Sequence, residues 1–432
     1  MKLLALLRNP HLLRAGLASG WVVFGRVIGL LWTLLLIAQL GIGDYGVYAM
    51  AYAVSAIIAA PVDNIFLVRA LRVDDGRFRA ERITRALVGG GLFAAGAAVF
   101  ALSPSAGFAL FIAGGEISFN ALKSRSLREG HPHVVMRRDA ARQAASILVA
   151  GGYLVLVPGA SLALAMLLYA TPYLVVCALA LWTARGARPA VPGRAREMGL
   201  LWLDAGALAV YLQGDILLLG LLTTEEIAGV FSLASVLALA ATTVAQMFVQ
   251  TYHERLREAG GDPKAGPSAR VIAIVALGLG GGTSLLGLVL VVVPNPWAGL
   301  GVVLIIMGLF VALHALALIL TTILYVQHRD GHRVAAGWTA AAVKLGLVAL
   351  LAEAGAIGAA VACVVAEIVL VVWYLRVVRA WTPARAAAPD AEPVVFAPPV
   401  EPVVAGTPPI PADLDLDPPA DAPAPPSERT PQ

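Results

Sequence analysis

Twelve stretches of this chain stay apolar for the roughly 17–25 residues that a helix needs to cross a bilayer, and they follow one another with little between them. That pattern constrains the fold more than any motif does. Lipid offers the backbone no hydrogen-bond partners, so a spanning segment must be a helix or part of a closed barrel. Long apolar runs without strict alternation read as helix. The stretches lie near 15–40, 45–68, 84–103, 105–122, 140–158, 160–183, 198–221, 226–250, 270–293, 297–326, 335–352 and 355–378. Hydrophobic residues make up 59% of the chain and charged residues 13%. A water-soluble domain usually carries about 25% charge, so this chain would have too little polar surface to cover itself. The expected fold class is an all-α polytopic membrane protein of about twelve transmembrane helices, in two six-helix lobes with both termini cytoplasmic.

Loop charges give an independent check on that number. Six Lys and Arg fall in 69–85, six in 123–142, four in 185–196, four in 255–270 and two in 329–333. The intervening loops, around 41–44, 103–107, 158–161, 222–226, 294–296 and 353–355, hold none. Lys and Arg are retained on the cytoplasmic side because moving them across is disfavoured. A wrong helix count would break this alternation. Within the spans, only Arg26 and Lys344 depart from it.

The net charge of +4 joins two opposed parts. Residues 1–382 carry 29 Lys and Arg against 19 Asp and Glu; from Pro383 onward there are 2 against 8. A basic membrane body is attracted to anionic lipid of the cytoplasmic leaflet. Fifteen prolines fall in the last 50 residues, with few apolar side chains to bury, so 381–432 is expected to be a disordered acidic tail. No basic surface interleaved with aromatics suggests nucleic acid. Cys177 and Cys363 sit in apolar runs without metal spacing and read as buried thiols. The runs Gly89-Gly90-Gly91 and 278–282 lie in apolar helices, with no strand before them and no Lys-Ser/Thr after them. They read as helix packing rather than as a nucleotide loop. No enzyme, cofactor or metal signature emerges.

Residues 46–51 (Gly-Val-Tyr-Ala-Met-Ala) echo 229–234 (Gly-Val-Phe-Ser-Leu-Ala) at an offset of 183. Each stretch follows an acidic outer turn, Asp44 or Glu225-Glu226, which suggests two parallel repeats of six helices. The expected organisation is a lobe over 1–190, a second over 191–380, and the tail. The same turn, Leu40-Gly41-Ile42-Gly43-Asp44-Tyr45-Gly46-Val47-Tyr48-Ala49, resembles the first outer turn of the Wzx-type polysaccharide flippases. Those belong to the multidrug/oligosaccharidyl-lipid/polysaccharide (MOP) exporter superfamily. The run Gly214-Asp215-Ile216-Leu217-Leu218-Leu219-Gly220 is similar to that family's Asp-x-x-Leu-x-Gly stretch. The resemblance covers about 10–380 and excludes the tail. It implies two lobes around a cavity that opens alternately to each side of a bacterial cytoplasmic membrane. The implied substrate is an oligosaccharide on a polyprenyl pyrophosphate. The partners are membrane lipids and, in assembly, a polysaccharide polymerase or glycosyltransferases.

Ionisable groups inside spans are costly, about 2.5–3.5 kcal/mol each on insertion scales, so they face a partner or a wet cavity. Arg26 and Asp63 lie at depths of roughly 15 and 8 Å from the same side at 1.5 Å per residue, within reach of each other. Lys344 and Glu367 stand in a similar relation in the last hairpin. Each set reads either as a structural ion pair or as part of a substrate site. In the second reading Arg26 and Lys344 hold the pyrophosphate, Arg by its planar fork. Asp204 and Asp215, three turns apart on one helix face, are candidates either for coupling to H⁺ or Na⁺ or for partnering with Ser, Thr or Gln on neighbouring helices. Glu116, Asn120 and Lys123 form one polar stripe and Gln246 with Gln250 another, both candidate cavity linings. Tyr45, Tyr48 and Tyr52 read as interfacial anchors, and His314 as a hydrogen-bonded core histidine. The in-span charges are five acidic and two basic, which suits a cation better than a pyrophosphate. A cation-coupled multidrug exporter of the same superfamily therefore stands as the alternative, and a membrane scaffold for polysaccharide assembly as a third reading.

Overall fold

A computed structural model describes residues 10–70, 72–129, 131–186, 188–293, 296–297 and 299–380, and of 10–19, 132 and 254 the backbone alone. The expected tail over 381–432 lies outside the described residues. Among the described residues there are twelve long helices and one short one: α1 (Pro10–Leu40), α2 (Ile42–Ala70), α3 (Asp75–Phe100), α4 (Pro104–Arg128), α5 (Pro132–Leu156), α6 (Leu162–Thr183), α7 (Ala195–Leu222), α8 (Glu225–Gln250), the short α9 (His253–Glu258), α10 (Ala269–Val292), α11 (Leu300–Val326), α12 (Asp330–Leu350) and α13 (Gly355–Arg379). Eleven of the twelve long helices are apolar enough to cross a membrane. The exception is α5, whose first half carries Arg137, Arg138, Asp139 and Arg142. Bulky apolar side chains such as Leu148, Leu277, Leu285 and Leu309 point outward, as a lipid-facing surface requires.

Local chemistry sets the turns. Ser103, Ser161, Thr224 and Ser268 each accept a backbone N–H of the helix they open, and Asp74 does the same for Arg77 at 2.9 Å. Between α1 and α2 the chain reverses over Gly41 alone, at φ +92°, a conformation that favours glycine. The basic loops gather at one end: Arg128 donates to the carbonyl of Ala70, Arg77 to Val191, and Gln327 to Gly261. The short turns gather at the other, where Gly355 meets Ile227 and Gly46 meets Glu225.

The helix pairings repeat. Within α1–α6 the contacts are α3 with α4, α1 with α5, α2 with α4, α4 with α6 and α5 with α6. Their counterparts in the second half are α10 with α11, α7 with α12, α8 with α11, α11 with α13 and α12 with α13. The two antiparallel hairpins even share a glycine register. Gly89 faces Gly114 and Gly96 faces Gly107 between α3 and α4; Gly280 faces Gly308 and Gly287 faces Gly301 between α10 and α11. In each helix the two glycines are seven residues apart. This is close packing through small residues, which lets backbones approach within lipid. The halves differ in how they meet each other. Helix α2 runs along α7, whereas the counterpart contact of α1 with α8 is marginal.

Candidate functional site

Between the halves lies a cavity of about 210 Å³, bounded chiefly by α1, α2, α7 and α8. Its short-turn side is closed by the crossing of α2 and α8, where Tyr45 and Ser232 hydroxyls are 3.1 Å apart. Aromatic side chains form one wall. Trp32 and Tyr169 lie 5.2 Å apart between ring centroids, and Tyr48 contacts Trp32, Tyr45, Tyr52 and Phe108. The expectation that Tyr45, Tyr48 and Tyr52 anchor the protein at the lipid interface is therefore corrected. Tyr45 and Tyr48 are buried, and all three line the cavity. The polar groups of the wall are Arg26, Thr33, Gln143, Gln213, Ser232 and Ser235. Among the described residues that line it there is one cation, Arg26, and no carboxylate.

The acidic residues expected at the cavity stand behind its wall, bound to cations. Asp63 accepts from Arg85 Nε (2.7 Å) and from the Asn120 amide (2.7 Å), and Arg85 Nη2 lies 2.5 Å from it in an ion pair. The partner of Asp63 is thus on α3, not Arg26 on α1. Sequence reasoning misses Arg85 because, at the very start of the span 84–103, it counts with the basic stretch 69–85. Glu116 is held by Tyr173 and by Arg142, 3.4 Å away, and Arg142 also reaches Asp139 at 3.2 Å. Lys123 points over the Phe119 ring, 4.6 Å from its centroid. Glu116, Asn120 and Lys123 thus turn into the first half rather than toward the cavity, and Gln246 is half-buried near the end of α8 without lining it.

The second half is organised the same way. Lys344 meets Asp215 at 2.5 Å and donates to the carbonyl of Tyr211 at 2.6 Å, while the Cys363 thiol donates to Asp215 at 3.4 Å. Glu367, fully buried, accepts from Tyr211 and faces His314 Nδ1 at 3.1 Å. Lys344 and Glu367 thus belong to adjoining clusters joined through Tyr211, not to one ion pair. Asp204 lies near the basic end, where both its carboxylate oxygens accept from Arg333 Nη2 (2.8 and 3.0 Å). Both acidic candidates for ion coupling on α7 already carry a fixed cation in this conformation. Cys177 and Cys363 are buried, as their surroundings suggested, and His314 is the hydrogen-bonded core histidine expected.

No protein-family model and no curated protein matches this sequence. Solved structures do match in shape. The lipid II flippase MurJ in an inward closed conformation aligns over 86% of this chain and 88% of its own, with a TM-score of 0.60 and 12% identity. The MATE multidrug transporter DinF-BH aligns over 85% of this chain and 96% of its own, with a TM-score of 0.55 and 13% identity. The eukaryotic MATE transporter AtDTX14 aligns over 85% and 95%, with a TM-score of 0.51 and 13% identity. At such identities the likeness concerns the fold. The repeated helix pairings, the central cavity and these alignments agree: this chain is a multi-pass membrane protein with a fold shared by the lipid II flippase MurJ and the MATE transporters.

Proposed function

We propose that the protein is a flippase that carries polyprenyl-pyrophosphate-linked oligosaccharide units across a bacterial cytoplasmic membrane for surface polysaccharide synthesis. It works by alternating access between two lobes, about residues 1–190 and 191–380. One observation supports this reading above the others: among the described residues, the cavity wall holds an arginine and no carboxylate. Four of the five in-span acids, which counted against an anionic substrate, are neutralised away from the wall: Asp63 by Arg85, Glu116 by Arg142, Asp204 by Arg333 and Asp215 by Lys344. Arg26 is the group of the wall that can take a pyrophosphate through its fork. The aromatic wall suits the apolar faces of sugar rings. In this reading the basic end faces the cytoplasm, where it gathers anionic lipid. The marginal contact of α1 with α8 leaves a seam beside the cavity, through which the polyprenyl tail stays in the bilayer.

A cation-coupled exporter is the second reading, and one observation favours it. Glu367 sits against a histidine and a tyrosine rather than a lysine or arginine, an arrangement able to exchange a proton. Arg26→Gln separates the two. Loss of surface polysaccharide with undiminished drug tolerance is the expected result. Retained polysaccharide with lost tolerance would establish the exporter instead. A pure scaffold predicts that deleting 382–432 abolishes polymer assembly, whereas a flippase keeps transporting without it.

A further inference from the structure

The two halves treat their equivalent basic loops differently. Between α2 and α3 the cations are neutralised within the structure: Arg69 and Arg77 meet Glu81 at 2.7 and 3.1 Å, and Arg85 meets Asp63 at 2.5 Å. Between α8 and α10 they are not. Arg255, Arg257, Lys264 and Arg270 are exposed, and none of them is ion-paired to a carboxylate among the described residues. Asp262 is committed to its own turn, where it accepts from the Lys264 backbone at 2.9 Å. The short helix α9 buries Leu256, 1% exposed, and leaves Arg255 and Arg257 at the surface. Leu256 packs in the apolar cluster that holds Tyr374 and Val378, and Ala265 lies against it, so this loop sits beside the last turns of α13. There Arg376 and Arg379 add two more exposed cations with no carboxylate partner among the described residues.

The complement to this surface leaves from its edge. Past Ala380 the chain carries 52 more residues, and over 386–428 these hold eight Asp and Glu and no Lys or Arg. Four of the acids, Asp413, Asp415, Asp417 and Asp421, fall within nine residues. We infer that this acidic run docks on the basic end of the second half, across Arg255, Arg257 and Lys264. The inference is independent of what the cavity carries. A single exposed ion pair is weak, so the surface calls for a partner that brings several charges at once. A run on the same chain does so, and its tether keeps it at a raised local concentration. Asp413 follows Ala380 by 33 residues, a reach of up to about 110 Å at full extension, which is ample for a loop beside the end of α13. The equivalent loop of the first half, already paired with its own carboxylates, offers the run far less.

The test uses the full chain, one copy per phosphatidylcholine nanodisc, with a donor and an acceptor dye on Ala259→Cys and Ala420→Cys. Ala259 is exposed beside Arg257, and the native Cys177 and Cys363 are buried. The expected result is strong energy transfer at low salt, lost as the screening length falls from about 30 Å at 0.01 M to about 3 Å at 1 M. Replacing Asp413, Asp415, Asp417 and Asp421 together by asparagine gives the same loss at low salt. So does Arg255→Gln with Arg257→Gln and Lys264→Gln. Arg137→Gln with Arg138→Gln, which removes exposed cations of the first half, leaves the transfer unchanged. If the triple variant folds poorly, the asparagine variant, which alters none of the described residues, carries the test. In phosphatidylglycerol discs the parent still shows more transfer than the asparagine variant. Equal transfer in parent and asparagine variant, or an equal loss from the first-half pair, would overturn the inference. A difference seen in phosphatidylcholine and abolished in phosphatidylglycerol would make the anionic leaflet the occupant of this surface and overturn it as well.

Discussion

Gly46 and Gly229, 183 residues apart, are pressed reciprocally against the first residue of each other's helix. A Cβ on Gly46 would lie 1.9 Å from the carbonyl oxygen of Glu225, and one on Gly229 would lie 2.2 Å from that of Ile42. Ile42 and Glu225 are themselves 183 residues apart. The crossing of α2 and α8 is therefore a pseudo-twofold contact of a sequence with its own repeat, and it closes the short-turn end of the cavity. Gly46→Val cannot be accommodated without separating the two helices. Overpacking of this kind costs about 1–3 kcal/mol or more. The expected outcome is a lower melting temperature, together with faster labelling of a cysteine at Ser232, which is buried behind the contact. Slow labelling unchanged from the parent would mean that the crossing does not hold this end shut.

The matched hairpins make a second prediction. Each glycine run holds one member that packs and others that do not. A Cβ on Gly89 would meet Ser118 Oγ at 2.3 Å and the Gly114 carbonyl at 2.7 Å; one on Gly280 would meet the Gly308 carbonyl at 2.4 Å. Gly91 and Gly282 have open space around them. Gly89→Val and Gly280→Val should each lower stability by about 1–3 kcal/mol, and by similar amounts because the sites are equivalent. Gly91→Val and Gly282→Val should be near neutral. Thermal unfolding in detergent compares the four, and a penalty at Gly91 equal to that at Gly89 would refute the assignment.

These features show what the sequence discloses and what it withholds. Apolar length is a local property, and the short-turn ends of the helices fall within a few residues of where the apolar runs stop: Leu222 against 221 and Val292 against 293. Two of the basic ends run further, α3 from Asp75, where Asp74 caps it, rather than 84, and α5 from Pro132 rather than 140, because a helix can continue past the lipid. That extension carries Arg85, Asp139 and Arg142 into the bundle, where they neutralise or adjoin the acids that had seemed to make the cavity acidic. Rotation about the helix axis is barely encoded when a helix is apolar on all sides. This is why the tyrosine stripe of α2 read as an interface and the Glu116 stripe as a cavity wall.

Asp63 and Arg85 test the claim that the hidden acids are structural. Their side chains are 9% and 2% exposed. Arg85→Met leaves a buried carboxylate with only Asn120 to hold it, and breaking such a pair costs about 3–5 kcal/mol. Replacing both, as Asp63→Leu with Arg85→Met, removes the stranded charge and should recover most of that loss. The double-mutant cycle is read from unfolding midpoints. Additive losses in the double variant would show that the pair is not coupled and that Asp63 has another partner.

Asp215 and Glu367 are both buried acids of the second half, yet neutralising them should have opposite weight. Asp215 faces the ammonium of Lys344 at 2.5 Å, and both side chains are 3% exposed. Asp215→Asn strands that ammonium away from water, at a cost of about 3–5 kcal/mol. Glu367 faces a phenol and an imidazole, and an amide in its place can still accept from Tyr211 and meet His314. Glu367→Gln should therefore lose no more than about 1.5 kcal/mol, the net worth of one hydrogen bond. Tyr211→Phe should cost more, about 1.5–3 kcal/mol, because it removes the donor to a buried carboxylate. Unfolding midpoints of the purified variants give the order Asp215→Asn, Tyr211→Phe, Glu367→Gln from most to least damaging. If Glu367→Gln proved as damaging as Asp215→Asn, Glu367 would have to be balanced by a permanent cation, and the separation of the two clusters would fail.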